Sequence, residues 1–204
     1  MPRRPLTESE IELVRDRILQ EAGRIISAHG FGALSMRKLA GSLALTAGAL
    51  YRYFPTKHDL LVAYCLVSLS RLENEVKRIA EGEEHILIAL ERMLVAYSEF
   101  ALADADRFRV LFLDFEVTRI SIPAQGLESY DFLLKTVERA QAAGRLRPLP
   151  TKTIARILFA SVHGVCILSA TVRDIDFSDA HPLAAEAARN ALRGLLLNPE
   201  EIQN

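Results

Sequence analysis

The chain has 204 residues, half of them apolar, with a formal net charge of −1. That length suits one large domain, or a small domain joined to a larger one, and the apolar share supports a sizeable core. The near-zero balance excludes strong attraction of the whole molecule to a polyanion. Residues 1–60 nonetheless carry +3 and the remainder −4, a mild bias toward a basic N-terminal end. Cys65 and Cys166 lie in apolar helical patterns without Cys-x-x-Cys spacing, as reduced core thiols of a cytoplasmic protein would. The opening MPRRPLTESE lacks the apolar segment of a signal peptide. No apolar run is expected to be long and charge-free enough to cross a membrane.

Runs rich in Ala, Leu, Glu and Arg dominate, and strand-like alternation never lasts, so the fold is read as all-α. Thr7-x-x-Glu10 is a capping box. The helix it starts carries Ile11, Val14, Ile18, Ala22, Ile25 and Ile26 on one face and stops at His29-Gly30. Ser35 caps a short helix, Met36 to Leu43, and Thr46 caps another, Ala47 to Phe54. So tight a connection makes two helices cross steeply, which is helix-turn-helix geometry. Ala40 permits close approach, Ala44 sits in the turn, and Leu39, Leu43, Leu45 and Leu50 fill the space toward the first helix. Pro55 ends the third helix, and Thr56-x-x-Asp59 starts the fourth with an aspartate variant of the capping box.

The stretch GFGALSMRKLAGSLALTAGALYRYFPTKHDLL resembles the N-terminal signature of TetR/AcrR-type transcriptional regulators. The matching residues are Gly30-Phe31, Ser35, Leu39-Ala40, Thr46, Gly48, Leu50-Tyr51, Tyr53-Phe54, Lys57 and Leu60-Leu61. Two positions depart. Ala44 stands where the family usually has Gly; in a left-handed turn alanine costs roughly 1–2 kcal/mol. Ala47 stands where Lys is frequent, which removes one DNA contact.

The resemblance implies a helix-turn-helix DNA-binding domain over 1–56 and an effector-binding and dimerisation domain, a larger helical bundle, over 57–204. It places Ala47 and Gly48 nearest the base edges, with Arg37 and Arg52 as candidates for base-specific hydrogen bonds. Ser35, Thr46, Tyr51, Tyr53 and Lys57 are the candidate phosphate clamps. Arg3-Arg4 is a solvated tail or a groove-binding arm.

The fourth helix is expected from Lys57 to Ala80. His85 to Ala103 is expected as a helix apolar almost all round, and hence buried. Helices over 104–119, 126–143, 151–173 and 181–197 follow, separated by ISIPAQG, GRLRPLP and DIDFSD. The resemblance implies an effector cavity among the middle helices. Its candidate residues are Met93, Tyr97, Phe100, Phe112, Glu116, Arg119, Tyr130, Phe159 and His163, which suit a small hydrophobic molecule. It also implies a homodimer through the last two helices, where Ala160, Gly164, Ala184, Ala188, Ala191, Leu192 and Leu195 are the candidate interface. His163-Gly164 further resembles the Trp-His-Gly subgroup, with Phe159 in the Trp position.

No metal, cofactor or catalytic constellation is expected. No His has a Glu three residues before it, and HExxH, GxSxG and a Gly-rich phosphate loop are missing. The expected function is a ligand-responsive dimeric regulator of double-stranded DNA, a repressor released from a palindromic operator. The alternative is an all-α ligand-sequestering or partner-binding protein without operator binding.

Overall fold

The computed structural model describes residues 4, 7–104, 107–108, 112, 128–172 and 174–198. Among them the regular structure is eight α-helices, one 3-10 turn at Phe31–Ala33 and an isolated antiparallel bridge between Leu146 and Leu196. They divide into two compact units: residues up to Ser68 together with Phe112, and the other residues from Leu69 on. The division falls inside the fourth helix, beyond the 56/57 boundary expected from the sequence.

In the first unit, α1 spans Glu8–His29. Thr7 Oγ1 accepts from the Glu10 amide at 3.3 Å, and the Glu10 carboxylate accepts from the Thr7 amide at 2.8 Å, which completes the capping box. The helix ends at Gly30, whose φ is 77° and whose amide bonds the Ile26 carbonyl at 2.7 Å. Its buried stripe is Ile18, Leu19, Ala22, Ile25 and Ile26. Ile11, expected on that stripe, is exposed.

Helix α2 spans Met36–Ser42 and α3 spans Ala47–Tyr51, capped by Ser35 and Thr46 as expected. The third helix is shorter than the sequence reading. The amides of Tyr53 and Phe54 both return to the Leu50 carbonyl, at 3.0 and 3.1 Å, so the chain unwinds into a turn before Pro55. Leu34, Leu39, Ala40, Leu50, Phe54 and Leu60 pack with the α1 stripe into one core, with Leu43 and Leu45 at its edge. Burial of these apolar side chains, rather than helix propensity, holds helices this short.

Helix α4 spans Lys57–Gly82. Asp59 accepts from the Thr56 amide at 3.0 Å while Thr56 Oγ1 accepts from the Asp59 amide at 3.0 Å, so the aspartate variant of the box forms.

The second unit contains α5 (Ile86–Leu102), α6 (Glu128–Ala142), α7 (Thr151–Thr171) and α8 (Ala180–Leu195). Helix α8 packs on α7 and α5, and α5, α6 and α7 pack on one another. Helix α5 is one-sided rather than apolar all round: Ala89, Leu90, Met93, Leu94, Tyr97 and Ala101 are buried, and Ile88 is exposed. Cys65 and Cys166 are both buried.

The expectation of no membrane-length apolar run is corrected by α7. By length and composition alone this helix meets the requirement for a crossing, with a mean hydropathy of 1.7 over an 18-residue window. Its cations, Lys152 and Arg156, sit near one end and leave the rest uncharged. Ile154, Leu158, Val162 and Cys166, each one turn from the next, face the core of the unit. Only a third of that window is buried within the chain, so much apolar surface of α7 stays accessible.

Candidate nucleic-acid interface and ligand cavity

The corner between α2 and α3 is closed by backbone hydrogen bonds. The Leu45 amide donates to the Ala40 carbonyl at 2.9 Å and the Ala44 amide to Gly41 at 3.2 Å. This is the paired six-to-one and five-to-two ending that requires a left-handed residue between. Ala44 supplies it at φ 54°, the one non-glycine with positive φ among the described residues. The cost anticipated for alanine is therefore present, and the corner closes regardless.

The corner leaves the amino end of α3 open. Thr46 Oγ1 accepts from the Ala49 amide at 3.1 Å, and Thr46, Ala47 and Gly48 are exposed. A Cβ built on Gly48 meets nothing within 4 Å, so another surface has room to approach its backbone. Ser35, Arg37, Tyr51, Arg52 and Lys57 are exposed as well, and Tyr53 is half-buried. Every residue placed by the sequence reading on the DNA-facing side of this unit is thus reachable from solvent. Phe54 and Leu50 point the other way, into the core. Arg4 is exposed and pairs with Glu10 at 2.7 Å.

Arg15 was not singled out from the sequence. From α1 its guanidinium donates to the Tyr53 carbonyl and lies 4.2 Å from the Phe54 ring centroid. It pins the turn after α3 through a charged hydrogen bond and a cation–π contact. The signal was available: Arg15 lies three and four residues before the buried Ile18 and Leu19, a cation on an apolar stripe.

A second feature lies wholly within the second unit. Leu72 and Val76 of α4, Met93, Leu94 and Tyr97 of α5, Ser129, Tyr130 and Leu133 of α6, and Phe159 of α7 enclose a cavity of about 40 Å³. It is smaller than the ~300–1,000 Å³ of a typical ligand pocket. Four candidates line it: Met93, Tyr97, Tyr130 and Phe159. Phe100 and His163 do not. Phe100 is held under Arg107, whose guanidinium sits 4.4 Å from its ring centroid. His163 stacks on the far side of Phe159, with centroids 5.1 Å apart, and its Nδ1 lies 2.6 Å from Tyr97 Oη. Burial lowers the His163 imidazole and raises the Tyr97 phenol, so both are neutral at physiological pH. Burial likewise pushes the Cys166 thiol up to about 11. Phe112 belongs to the first unit, and Glu116 and Arg119 lie outside the described residues.

The candidate dimer residues separate into two groups. Ala184, Ala188, Leu192 and Leu195 are buried by the chain's own helices. They are corrected to intrachain core residues, because their near-four-residue spacing is the face α8 turns to α7 and α5. Ala160, Gly164 and Ala191 keep accessible surface. Ile157 and Leu168 of α7 and Leu183 of α8, which the sequence reading missed, are exposed apolar side chains. Among the described residues no cluster of three or more His, Cys, Asp or Glu is placed to hold a metal.

A capped helix-turn-helix with an open third helix, followed by a separate helical unit, defines a DNA-binding transcriptional regulator of the two-domain kind. Comparison with known proteins gives the family. Residues 18–64 match "Bacterial regulatory proteins, tetR family", and residues 90–194 match "Tetracyclin repressor-like, C-terminal domain". The chain belongs to the TetR family, whose members are regulators and not enzymes. The C-terminal description does not name the Trp-His-Gly subgroup.

The HTH-type transcriptional regulator UidR of Escherichia coli is 27% identical over 187 residues, 89% of each chain. A TetR-family regulator from Pectobacterium atrosepticum shares the fold with a TM-score of 0.80 at 23% identity, over 95% of this chain and 100% of that one. The repressor FadR of Thermus thermophilus, solved in complex with lauroyl-CoA, shares it at 0.65 and 19% identity, over 90% and 96%.

Proposed function

We propose that this regulator is a cytoplasmic homodimer that represses transcription from a palindromic operator and is released by a small hydrophobic effector. The observation that carries the DNA half is the exposed amino end of α3, with Gly48 open to a close approach. Ala47 and Gly48 approach the major groove, where small residues admit thymine methyls, and Arg37 and Arg52 supply the base hydrogen bonds. Ser35, Thr46, Tyr51, Tyr53 and Lys57 hold phosphates. The domain boundary that matters for DNA is the end of α3, so 1–56 reads the operator and 57–204 carries effector and partner sites.

Dimerisation uses the accessible apolar face of α7 around Ile157, Ala160, Gly164 and Leu168, with Leu183 and Ala191 of α8. Two-fold symmetry then sets two recognition helices one helical turn apart, ~34–36 Å. The same face gives the apolar character of α7 a use without a membrane partner. The effector enters the cavity beside Tyr97, Tyr130 and Phe159. Its present volume is too small for such a molecule, so binding must favour a widened state. A ligand shifts operator occupancy only by its difference in affinity between the two states. FadR, a neighbour in fold solved with lauroyl-CoA, is a precedent for a ligand in such a helical unit.

The test is fluorescence anisotropy with the operator selected from random duplexes. The triple variant Arg37→Ala, Tyr53→Phe, Lys57→Ala is expected to lose binding, and log affinity of the wild type should fall with log salt at about −0.9 per phosphate neutralised. Binding that ignores all three substitutions sinks the assigned face. No binding even at low salt favours the ligand-sequestering alternative, which Ala47 in place of a frequent lysine keeps in play.

A further inference from the structure

The side of α3 that the corner leaves open carries almost no hydrogen-bonding chemistry. Ala47 and Gly48 are exposed and Ala49 is half-buried, and none of the three has a polar side-chain atom. Thr46 commits its hydroxyl oxygen to the Ala49 amide at 3.1 Å. Leu50 is turned into the core. Side chains able to bond a base edge stand elsewhere, at Arg37 on α2 and at Tyr51 and Arg52 where α3 finishes. The start of α3 therefore offers a methyl at Ala47 and a hollow at Gly48, where a Cβ would meet no atom of the protein within 4 Å. Backbone conformation does not require glycine there, because Gly48 is not among the residues with positive φ.

A surface without donors or acceptors cannot replace the water it strips from a polar base edge, and leaving such an edge dry costs free energy. In the major groove every base pair presents polar atoms, and the one apolar group on offer is the C5 methyl of thymine. Cytosine has only a hydrogen at that carbon and would leave the hollow empty, which forfeits the contacts of its lining. 5-Methylcytosine carries the same methyl on the same carbon. A side chain at position 48 would occupy the volume that this methyl needs.

We infer, resting on the DNA reading proposed above, that α3 recognises a pyrimidine C5 methyl, seated at Gly48 beside the methyl of Ala47. Gly48 is then a specificity-determining residue, and its missing side chain is the seat. The operator half-site has thymine at this place. 5-Methylcytosine substitutes for it and cytosine does not, so modification of one base carbon alters operator occupancy. Arg37 and Arg52 read other positions through hydrogen bonds.

The experiment measures anisotropy of the full chain on the operator selected from random duplexes, with each thymine replaced in turn by deoxyuridine. One thymine in each half-site is expected to lose about three- to fourfold in affinity with its methyl, and the loss should reach about tenfold when both half-sites are changed. At that position cytosine should bind weakly, and 5-methylcytosine should regain about three- to fourfold over cytosine. Gly48→Ala puts a methyl on the protein instead. It should weaken binding to the thymine operator and lose far less on the deoxyuridine one, a non-additivity that marks direct contact. Alanine is the better helix former, so thermal unfolding should show the variant at least as stable and exclude unfolding as the cause. Uracil tolerated at every thymine, cytosine and 5-methylcytosine bound alike, or equal losses for Gly48→Ala on both operators overturns the inference. The triple variant Arg37→Ala, Tyr53→Phe, Lys57→Ala separates the two readings. Operator binding that this variant abolishes but that ignores every methyl keeps the DNA face and removes the methyl seat. No operator bound even at low salt removes both.

Discussion

Two helices of this chain end in the same way on different residues. After α2 the Leu45 amide bonds Ala40 at 2.9 Å and the Ala44 amide bonds Gly41 at 3.2 Å; after α6 the Arg145 amide bonds Ala140 at 2.9 Å and the Gly144 amide bonds Gln141 at 2.9 Å. The turning residue has φ 54° at Ala44 and 69° at Gly144. Glycine adopts that region freely, whereas alanine places its Cβ against the following carbonyl. The surroundings account for the difference. Beyond Gly144 the loop is strapped by polar contacts. Gln141 Nε2 donates to the Arg147 and Leu149 carbonyls at 3.1 and 2.7 Å, and Thr151 Oγ1 bonds Gln141 Oε1 at 2.8 Å. Beyond Ala44 only two residues separate the turn from α3, and Leu39, Ala40 and Leu50 are buried on both sides of it. A left-handed alanine persists where packing on both flanks leaves the chain no other path. The second corner, tied down by hydrogen bonds, has the residue that needs no such constraint.

The largest effect expected from this contrast is at Leu50, which is fully buried under the first corner. Leu50→Ala should cost about 2–5 kcal/mol by urea denaturation and abolish operator binding at the same time. A cost below about 1 kcal/mol would mean that packing is not what holds the alanine turn. Next is Arg15, which braces the far end of α3. Arg15→Met keeps much of the apolar stem and removes the hydrogen bond to the Tyr53 carbonyl, at a cost of about 1–3 kcal/mol. Operator affinity should fall although Arg15 lies outside the predicted contact set. Weaker anisotropy with an unchanged salt slope would mark it as a positioning residue, whereas a shallower slope would make it a phosphate ligand.

Much of this contrast was legible in the residues. Thr7-Glu10, Ser35, Thr46 and Thr56-Asp59 announce four helix starts, because a cap is a local interaction between near neighbours in the chain. The corner at Ala44 followed from the three residues between two capped helices, and its left-handed turn was suggested only by the resemblance, in which glycine usually holds that position. What could not be read was which neighbour the apolar face of a helix meets. Leu192 and Ala188 have the same chemistry at an interface between copies as in the core of one copy, and only the rotation of α8 about its axis decides. The same holds for Phe100 and His163, which do not line the cavity: an aromatic stripe does not say which rings enclose a space and which stand behind them. Arg15 was readable in principle, since it is a charge on a buried stripe, but its partners Tyr53 and Phe54 are distant in sequence.

Third in size is the glycine corner itself. Gly144→Ala would place in the loop the residue that the first corner tolerates. No atom lies within 4 Å of a Cβ there, so backbone strain of about 1–2 kcal/mol, offset by about 0.4–1 kcal/mol from the less free unfolded chain, should set the cost, at about 1 kcal/mol. Operator affinity should not change, because the substitution lies in the other unit. A cost near zero in thermal unfolding would show that the two corners do not differ in strain.

The smallest effect, and the sharpest test, is the reverse exchange. Ala44→Gly relieves about 1–2 kcal/mol of left-handed strain but gives the unfolded chain more freedom, worth about 0.4–1 kcal/mol in the opposite direction. The balance is a gain of about 0.5–1 kcal/mol, or a few degrees in midpoint for a chain of this size. Ala44 is exposed, so little packing is lost with its methyl. If stability rises and operator affinity holds, the alanine is merely tolerated and the corner angle is set by Leu39 and Leu50. If stability rises while affinity falls, the strained alanine itself fixes the direction in which α3 projects, and the less stable corner is the one that DNA binding requires.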